Sequence, residues 1–308
     1  MALETHRLPY LCEAHRSLAV VVEGAGVFRQ RTATTDDDVR LAVFEAGDER
    51  KPTVLLVNAL GISVLFMAAL AKRLARDHHV VTWESRGLPD FDAFDPEVDL
   101  SIRQQALDAV AVLPRPAKAV HAIVAFCSGA NIAAYAVANG LLDTQRLCLI
   151  SPSIELPDAL EKSDYQRTML PLWPKVVTGG TRYAALVRAL LQKGADTEGG
   201  DDNPALSLLN GLPFDTAEST YRYAQLQAAC LEVDWSRHLA RIRPPTLVLH
   251  CDEDAIIHAQ TSQAVARCIP GALFRGVPGS GHFGVHTSSS LQAAVAAYLA
   301  RAPITHHI

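Results

Sequence analysis

Short β-rich runs alternate with helical patterns along most of the chain, and this alternation predicts strands separated by helices. The clearest runs are Thr53 to Val57, His79 to Trp83 and Thr246 to Leu249. Strands with nearly continuous apolar character are typical of a parallel sheet that is covered by helices on both faces. The pattern therefore predicts an α/β protein with a mostly parallel sheet.

Further strands and the intervening helices are predicted on the same basis. Ser63 is placed to cap the first helix, and Pro114 with Pro116 ends the second. The further strands are Leu18 to Val22, Val39 to Phe44, Ala119 to Phe126, Arg146 to Ile150 and Ala272 to Val277. The helices are Ser63 to Arg76, Leu100 to Leu113, Gly129 to Val137, Ala259 to Cys268 and Ser288 to Ala300.

A long segment without strand periodicity interrupts this alternation. From Ile154 to Arg243 helical stretches dominate, for example Thr181 to Gln192 and Thr220 to Glu232, with a Gly/Asp-rich loop at Gly194 to Asn203 between them. The strand pattern then resumes. We interpret residues 154–243 as a helical lid inserted into a core that residues 1–153 and 244–308 form.

Composition indicates an ordinary soluble globular protein. The chain has 308 residues, of which 49% are hydrophobic and 20% charged, which is enough apolar material for a full core. The formal net charge is −5, so the chain lacks the basic field that binds a phosphate backbone. We expect no nucleic-acid partner.

The cysteines and the chain ends indicate a cytoplasmic protein. Six cysteines lie scattered without CxxC pairs, which is typical of a reducing compartment. The opening residues are too polar for a signal peptide, and every apolar run is far shorter than the ~20 residues of a membrane helix. We expect no membrane contact and no metal, since His306 and His307 are more simply a solvated end.

The segment Ala125-Phe126-Cys127-Ser128-Gly129 joins a predicted strand directly to a predicted helix. A nucleophile on such a tight turn needs small residues two positions before it and two positions after it. Ala125 and Gly129 meet this need for Cys127, whereas Ser128 would have Phe126 at the first position. A helix N-terminus also favours a thiolate. We predict that Cys127 is the catalytic nucleophile, the alternative being a small buried apolar residue.

A general base is expected in a loop after the last strand, where an imidazole can reach the nucleophile. Gly279-Ser280-Gly281-His282-Phe283 provides such a loop, and His282 is the predicted base. His286 is the rival, although its position at the start of the final helix suits a capping role.

The acid that orients the base is expected after the strand that follows the lid. His250-Cys251-Asp252-Glu253-Asp254 begins at the end of that strand, and we predict that Asp254 is the acid. The alternative role, holding the loop through backbone amides, suits Asp252.

The negative charge on the attacked carbonyl oxygen needs backbone donors that are already in place. The residue after the nucleophile supplies one, so the Ser128 N–H is predicted as the first donor. The loop Asn58-Ala59-Leu60-Gly61 follows the strand that ends at Val57. The Leu60 N–H is the predicted second donor.

These residues resemble the α/β-hydrolase superfamily from about Val39 to Ala300, in the chain order nucleophile, acid, histidine. Glu84-Ser85-Arg86-Gly87 is similar to its Asp-x-Arg-Gly segment, and Asp252-Glu253-Asp254 to its Asp-x-Asp acid loop. Asn58-Ala59-Leu60-Gly61 departs from the family's His-Gly pair, although a backbone donor survives that change. The resemblance implies an α/β-hydrolase fold.

Cys127 stands where most members of that superfamily carry serine. Members with cysteine include dienelactone-type hydrolases and the aminoacyl shuttle transferases of nonribosomal peptide pathways, such as syringomycin and coronamic acid assembly. The chain resembles the second group more, through its large lid and Thr82-Trp83-Glu84-Ser85-Arg86-Gly87. This implies acyl, and more narrowly aminoacyl, transfer between phosphopantetheine arms of carrier proteins or thiolation domains, with no permanently bound cofactor.

Thioester chemistry agrees with such a transfer. A thioester on Cys127 would keep most of the group-transfer potential of an incoming thioester, so exchange between thiols can run near balance. A serine ester would lose that potential. The lid is the candidate for excluding water while the acyl enzyme exists.

Two alternatives to transfer stay open. A cysteine-dependent hydrolase, either a thioesterase, an esterase or a lactone hydrolase, would use the same three residues. A noncatalytic binding protein that kept the fold is the other, and an intact triad argues against it. Basic lid residues either meet an acidic carrier or form a solvated surface: Lys162, Arg167, Lys175, Arg182, Arg188 and Lys193.

Overall fold

The computed structural model describes residues 25–86, 98–114, 119–159, 161–195 and 209–300. Its main sheet is built from eight strands. They are β1 (Arg29–Thr34), β2 (Arg40–Ala46), β3 (Thr53–Val57), β4 (His79–Trp83), β6 (Ala122–Phe126), β8 (Leu147–Ile150), β9 (Thr246–Cys251) and β10 (Leu273–Val277). Two short strands, β5 (Ala119–Val120) and β7 (Asp143–Thr144), pair separately.

The main sheet has the order β1-β2-β4-β3-β6-β8-β9-β10. β2 pairs antiparallel with both β1 and β4, and every pair from β4 to β10 is parallel. The prediction of a mostly parallel sheet is confirmed. Parallel strands place their carboxyl ends at one edge of the sheet, so the loops after β3, β6 and β9 lie close together.

Helices cover both faces of this sheet. They are α1 (Ala68–Leu74), α2 (Ile102–Ala111), α3 (Gly129–Ala138), α4 (Asp164–Met169), α5 (Leu172–Ala195), α6 (Ala217–Leu231), α7 (Trp235–Leu239), α8 (Ala259–Cys268), α9 (Gly284–Thr287) and α10 (Ser289–Leu299). Alternate strand residues face opposite sides. Leu55 and Val57 pack with α2, α3 and α8, while Val54 and Leu56 pack with α1 and α10.

The segment between β8 and β9 has a small apolar cluster of its own. α4, α5 and α6 contribute to it through buried residues that include Met169, Trp173, Val187 and Ala224. α7 instead packs into the cluster on one sheet face. The division at residues 153/154 and 243/244 stays a prediction from the sequence.

Three elements have the bounds that the sequence predicts, namely β3, β4 and α8. The predicted strand from 119 to 126 is wrong as one unit, because Val120 pairs with Thr144 whereas Ala122 pairs with Val54 in the main sheet. The predicted helix from 63 to 76 begins with a 3-10 turn, Val64–Met67, before α1. The Ser63 hydroxyl accepts a hydrogen bond from the Leu65 N–H, as a capping residue does.

Strand β1 has no counterpart among the predicted strands. It is an edge strand with mostly exposed or half-buried polar residues, so it carries no apolar pattern. The predicted strand Leu18 to Val22 lies outside the described residues. The predicted loop Gly194 to Asn203 begins inside α5, which extends to Ala195. The rest of that loop lies outside the described residues.

No helix in the described part of the chain is long and apolar enough to cross a membrane.

Candidate active site

Cys127 lies on the turn between β6 and α3. Its φ angle of 49° is in the left-handed region, which is costly for a residue with a Cβ and needs support from its surroundings. The Cys127 N–H donates to the Ile150 carbonyl (3.0 Å), and its carbonyl accepts from the Ser153 N–H (3.1 Å). These bonds hold the turn that presents the thiol at the end of β6.

The small residues on either side of Cys127 are required by close backbone contacts. A Cβ added to Gly129 would lie 2.2 Å from the Asn58 carbonyl oxygen and 2.6 Å from that of Val57. Ala125 is fully buried and lies between Val57 and Leu149 of the neighbouring strands. The sequence requirement for small residues therefore has a physical cause here.

Gly129→Ala is expected to lower the free energy of unfolding by about 3 kcal/mol, because the new methyl group overlaps rigid backbone. Gly211→Ala is the matched control, since Gly211 has φ −72° and nothing within 4 Å of an added Cβ. Urea denaturation of both variants checks this. Equal stability of the two variants would contradict the close approach of α3 to the loop after β3.

His282 and Asp254 form a buried pair next to Cys127. The His282 Nδ1 and the Asp254 Oδ2 are 2.8 Å apart, and the two side chains are 6% and 0% exposed. The other Asp254 oxygen accepts from the backbone N–H groups of Ile256 (2.9 Å) and Ile257 (2.8 Å). The imidazole lines the same cavity as the Cys127 side chain. The structure thus brings together the three residues predicted as nucleophile, base and acid.

The pKa values of His282 and Asp254 are each shifted by the charges of their neighbours. Burial by itself lowers the pKa of His282, but the negative charge of a deprotonated Cys127 and the Asp254 carboxylate raise it to about 10. Burial raises the pKa of Asp254, yet His282 and the Ile257 N–H outweigh this and bring it below its ordinary value. His282 therefore stays protonated as the pH rises until about 10 while it faces a thiolate.

Cys127→Ala is expected to lower the pKa of His282, because the thiolate is the largest of the influences that raise it. An NMR titration of the assigned His282 ring protons, in the unmodified protein and in the variant, checks this. The unmodified protein should titrate at the higher pH. Identical titration curves would show that Cys127 carries no charge beside His282.

The two rival residues have other partners. Asp252 is exposed, and its carboxylate lies against Gly276. His286 is 9% exposed, and its ring lies 6.1 Å from that of Phe66. Neither of them lines the cavity at Cys127.

The two residues predicted as oxyanion donors, Ser128 and Leu60, contact each other. Ser128 is 2% exposed and directly precedes α3, so its N–H is at a helix N-terminus. The Leu60 N–H, however, donates to the Ser128 hydroxyl at 2.9 Å. In this structure the predicted second donor is therefore engaged by a side chain.

Residues after β4 hold the loop that follows β3. The Ser85 hydroxyl accepts from the Gly61 N–H (3.1 Å), and the Glu84 carboxylate accepts from the Ser63 hydroxyl (3.1 Å). The buried Arg86 forms ion pairs with Asp108 (2.5 Å) and Asp37 (2.7 Å). Glu84, Ser85 and Arg86 therefore support the loops around the site but do not line the cavity at Cys127.

A cavity of about 200 Å³ opens over Cys127 and His282. Its other lining residues are mostly apolar or aromatic, and among the described ones none is Asp, Glu, Lys or Arg: Ala59, Ile62, Phe66, Phe126, Ser128, Ser153, Tyr165, Gln166, Leu170, Trp173, Asn210, Phe214, Tyr223, Gln227, Ile256, Ile257 and Phe283. Such a lining suits an uncharged or weakly polar group.

Tyr165 and Tyr223 are cavity residues that the sequence analysis missed. Burial raises the pKa of Tyr165 to about 12 and that of Tyr223 well above its ordinary value. Both rings therefore stay neutral. The sequence alone does not distinguish these two tyrosines from ordinary core residues, because aromatic residues are common in buried helix faces. Their position in the cavity follows from how α4 and α6 pack.

Three of the six predicted basic lid residues have partners within residues 154–243. Lys162 pairs with Glu155, Arg167 pairs with Asp164, and the Arg188 Nε donates to the Phe214 carbonyl (2.8 Å). The described residues hold no group of three or more His, Cys, Asp or Glu placed for a metal ion.

Comparison with known proteins agrees with this geometry. A sequence profile described as "Alpha/beta hydrolase family" matches residues 54–297. A search of curated proteins found no match.

Solved structures with the same fold include several hydrolytic enzymes. A membrane phospholipase A, described as a bacterial virulence factor, has a TM-score of 0.72 at 20% identity, covering 92% of this chain and 89% of that one. A hydrolase from Pseudomonas aeruginosa PA01 has a TM-score of 0.68 at 20% identity, covering 89% and 99%. The enol-lactonase from Burkholderia xenovorans LB400 has a TM-score of 0.67 at 18% identity, covering 88% and 100%. At these identities the likeness establishes the α/β-hydrolase fold alone.

Proposed function

Since the chain belongs to the alpha/beta hydrolase family, we propose that it is a cysteine-dependent hydrolase of esters, thioesters or lactones that works through a thioester on Cys127. One observation carries this proposal. Cys127 occupies a left-handed turn and lines one cavity with a buried imidazole that a carboxylate holds at 2.8 Å. A nucleophile, a base and an orienting acid in this order are the arrangement that acyl transfer requires.

In the first half of the reaction, the Cys127 sulfur attacks the acyl carbonyl carbon and forms a C–S bond. The carbonyl electrons move to oxygen, and hydrogen-bond donors at Ser128 stabilise the charge. When the tetrahedral species collapses, the bond to the leaving oxygen or sulfur breaks. The leaving group takes the proton from His282.

In the second half, water attacks the thioester carbon while His282 accepts one of its protons. The C–S bond breaks, the free acid leaves, and Cys127 and His282 return to their starting state. Asp254 keeps the imidazole in the orientation that both halves need.

A turnover assay tests this proposal. The protein is incubated with p-nitrophenyl acetate and with S-butyryl-N-acetylcysteamine, and the released p-nitrophenolate and thiol are measured. Release of many equivalents together with free acid supports a hydrolase. Absence of acylation and of release with every ester, thioester and lactone offered would contradict it and would favour a noncatalytic binding protein.

A second candidate is acyl transfer between the phosphopantetheine thiols of carrier proteins, with an aminoacyl group as its narrower form. The specific observation in its favour is that the nucleophile is sulfur, because a thioester retains the potential to acylate a second thiol. The apolar cavity supports it as well, since water competes poorly in such a site. Without a carboxylate in the described lining, an ammonium group would depend on aromatic faces such as Trp173 and Tyr223.

The two candidate functions differ in where the acyl group goes, either to water or to a second carrier protein. Acyl-loaded carrier protein is added first alone and then with an unloaded acceptor carrier, and free acid and loaded acceptor are both measured. Steady release of acid that the acceptor does not change indicates a hydrolase. A stable acyl enzyme that only the acceptor discharges indicates a transferase.

A further inference from the structure

Leu60 lies in the loop after β3, and side chains from other parts of the chain bind both its N–H and its carbonyl group. The Leu60 N–H donates to the Ser128 hydroxyl at 2.9 Å, and the Leu60 carbonyl accepts from the Gln227 side chain at 3.3 Å. The next amide, that of Gly61, donates to the Ser85 hydroxyl at 3.1 Å. The Leu60 amide is therefore fixed in its direction.

Side-chain packing also prevents this loop from turning. Leu60 is completely buried, and the Tyr223 ring lies so close to Gly61 that an added Cβ would be 2.8 Å from its Cδ2. A rotation of the Ala59–Leu60 peptide that turned the Leu60 N–H towards substrate would break its bond to the Ser128 hydroxyl. A buried polar group left unpaired is destabilising, because it has given up its hydrogen bonds to water without gaining a partner.

The Ser128 hydroxyl is well placed to take over the role of that amide. Ser128 lines the cavity with Cys127, and its oxygen already accepts one hydrogen bond from Leu60. A hydroxyl keeps one proton to donate when its oxygen accepts. An incoming N–H bond polarises the hydroxyl and strengthens that donation.

We infer that the Ser128 hydroxyl is the second oxyanion donor of this site, acting beside the Ser128 backbone N–H and polarised by Leu60. The inference rests on the proposed acyl chemistry at Cys127. Both donors then belong to one residue, and the Leu60 amide acts only through the hydroxyl. The oxyanion receives the two hydrogen bonds that tetrahedral intermediates need, and no proton is transferred.

Ser128→Ala tests this inference through two reactions of the same thiol. Acyl transfer from p-nitrophenyl acetate passes through an oxyanion, whereas alkylation by iodoacetamide does not. We expect kcat for the ester to fall about 10- to 100-fold with little change in KM, and the alkylation rate of Cys127 to stay as in the unmodified protein. Ser128→Thr keeps the hydroxyl and should recover most of the ester activity.

The opposing results are distinct. If the Leu60 amide is the true donor and the hydroxyl only covers it, Ser128→Ala should leave kcat unchanged or raise it, and the inference is wrong. Equal losses in ester turnover and in alkylation would show that the substitution disturbs the turn, which also overturns a specific donor role. Failure of the unmodified protein to form any acyl enzyme would instead contradict the proposed function itself.

Discussion

Cys127→Ala is expected to abolish turnover of esters and thioesters, with kcat falling by at least about 10⁴-fold. The variant keeps the fold because alanine removes only the sulfur atom, and the backbone bonds of residue 127 to Ile150 and Ser153 remain. Steady-state assays with p-nitrophenyl acetate measure the loss, and circular dichroism confirms the fold.

Cys268→Ala is the matched control for that variant. Cys268 is partly exposed and is not among the residues that line the cavity. Its loss should leave kcat unchanged. Activity of Cys127→Ala close to that of this control would refute Cys127 as the nucleophile.

His282→Ala is expected to cost nearly as much as the loss of Cys127, about 10⁴-fold or more in kcat. The variant lacks the group that activates the thiol and protonates the leaving group. Asp254→Asn should cost less, about 10²- to 10⁴-fold, because the imidazole remains and only its orientation and charge are disturbed. Comparing kcat for the two variants with one thioester substrate measures the difference.

His286→Ala checks the rival base. His286 packs on Phe66 outside the cavity lining, so its loss should affect stability more than kcat. A larger effect on kcat from His286→Ala than from His282→Ala would move the base to His286. A larger effect from Asp254→Asn than from His282→Ala would contradict the roles given to this pair.

The sequence predicted the core of the fold well because buried parallel strands leave a strong signal. β3 and β4 are almost completely buried and rich in apolar residues, so hydrophobicity indicates where they lie. β1 could not be found in this way, since it is a polar edge strand. The break at His121 was equally hidden, because it depends on Val120 pairing with a short strand distant in sequence.

The candidate site was predicted to the extent that local sterics determine it. Ala125 and Gly129 identify Cys127 through the space that its turn allows, and the order of the loops after β9 and β10 identifies Asp254 and His282. The bond from the Leu60 N–H to the Ser128 hydroxyl depends on how two loops meet, which no local pattern records. The place of Tyr223 on Gly61 likewise depends on tertiary packing.

Chemical differences among the thiols allow the acyl group to be located. Burial raises the pKa of Cys148 and Cys251 to about 12 and that of Cys230 further, so these thiols stay protonated and unreactive. Cys127 is the described cysteine that lines the cavity beside His282. Among these four thiols, an acyl group is therefore expected on Cys127.

Mass spectrometry of the protein after brief incubation with excess S-butyryl-N-acetylcysteamine and an acid quench tests the central claim most directly. A thioester on Cys127 predicts a gain of a single butyryl group, located by peptide mapping at Cys127 and removed by neutral hydroxylamine. An acyl group located on Ser128 or on another cysteine, or release of product without any acylated protein in rapid-quench samples, would contradict covalent catalysis by Cys127.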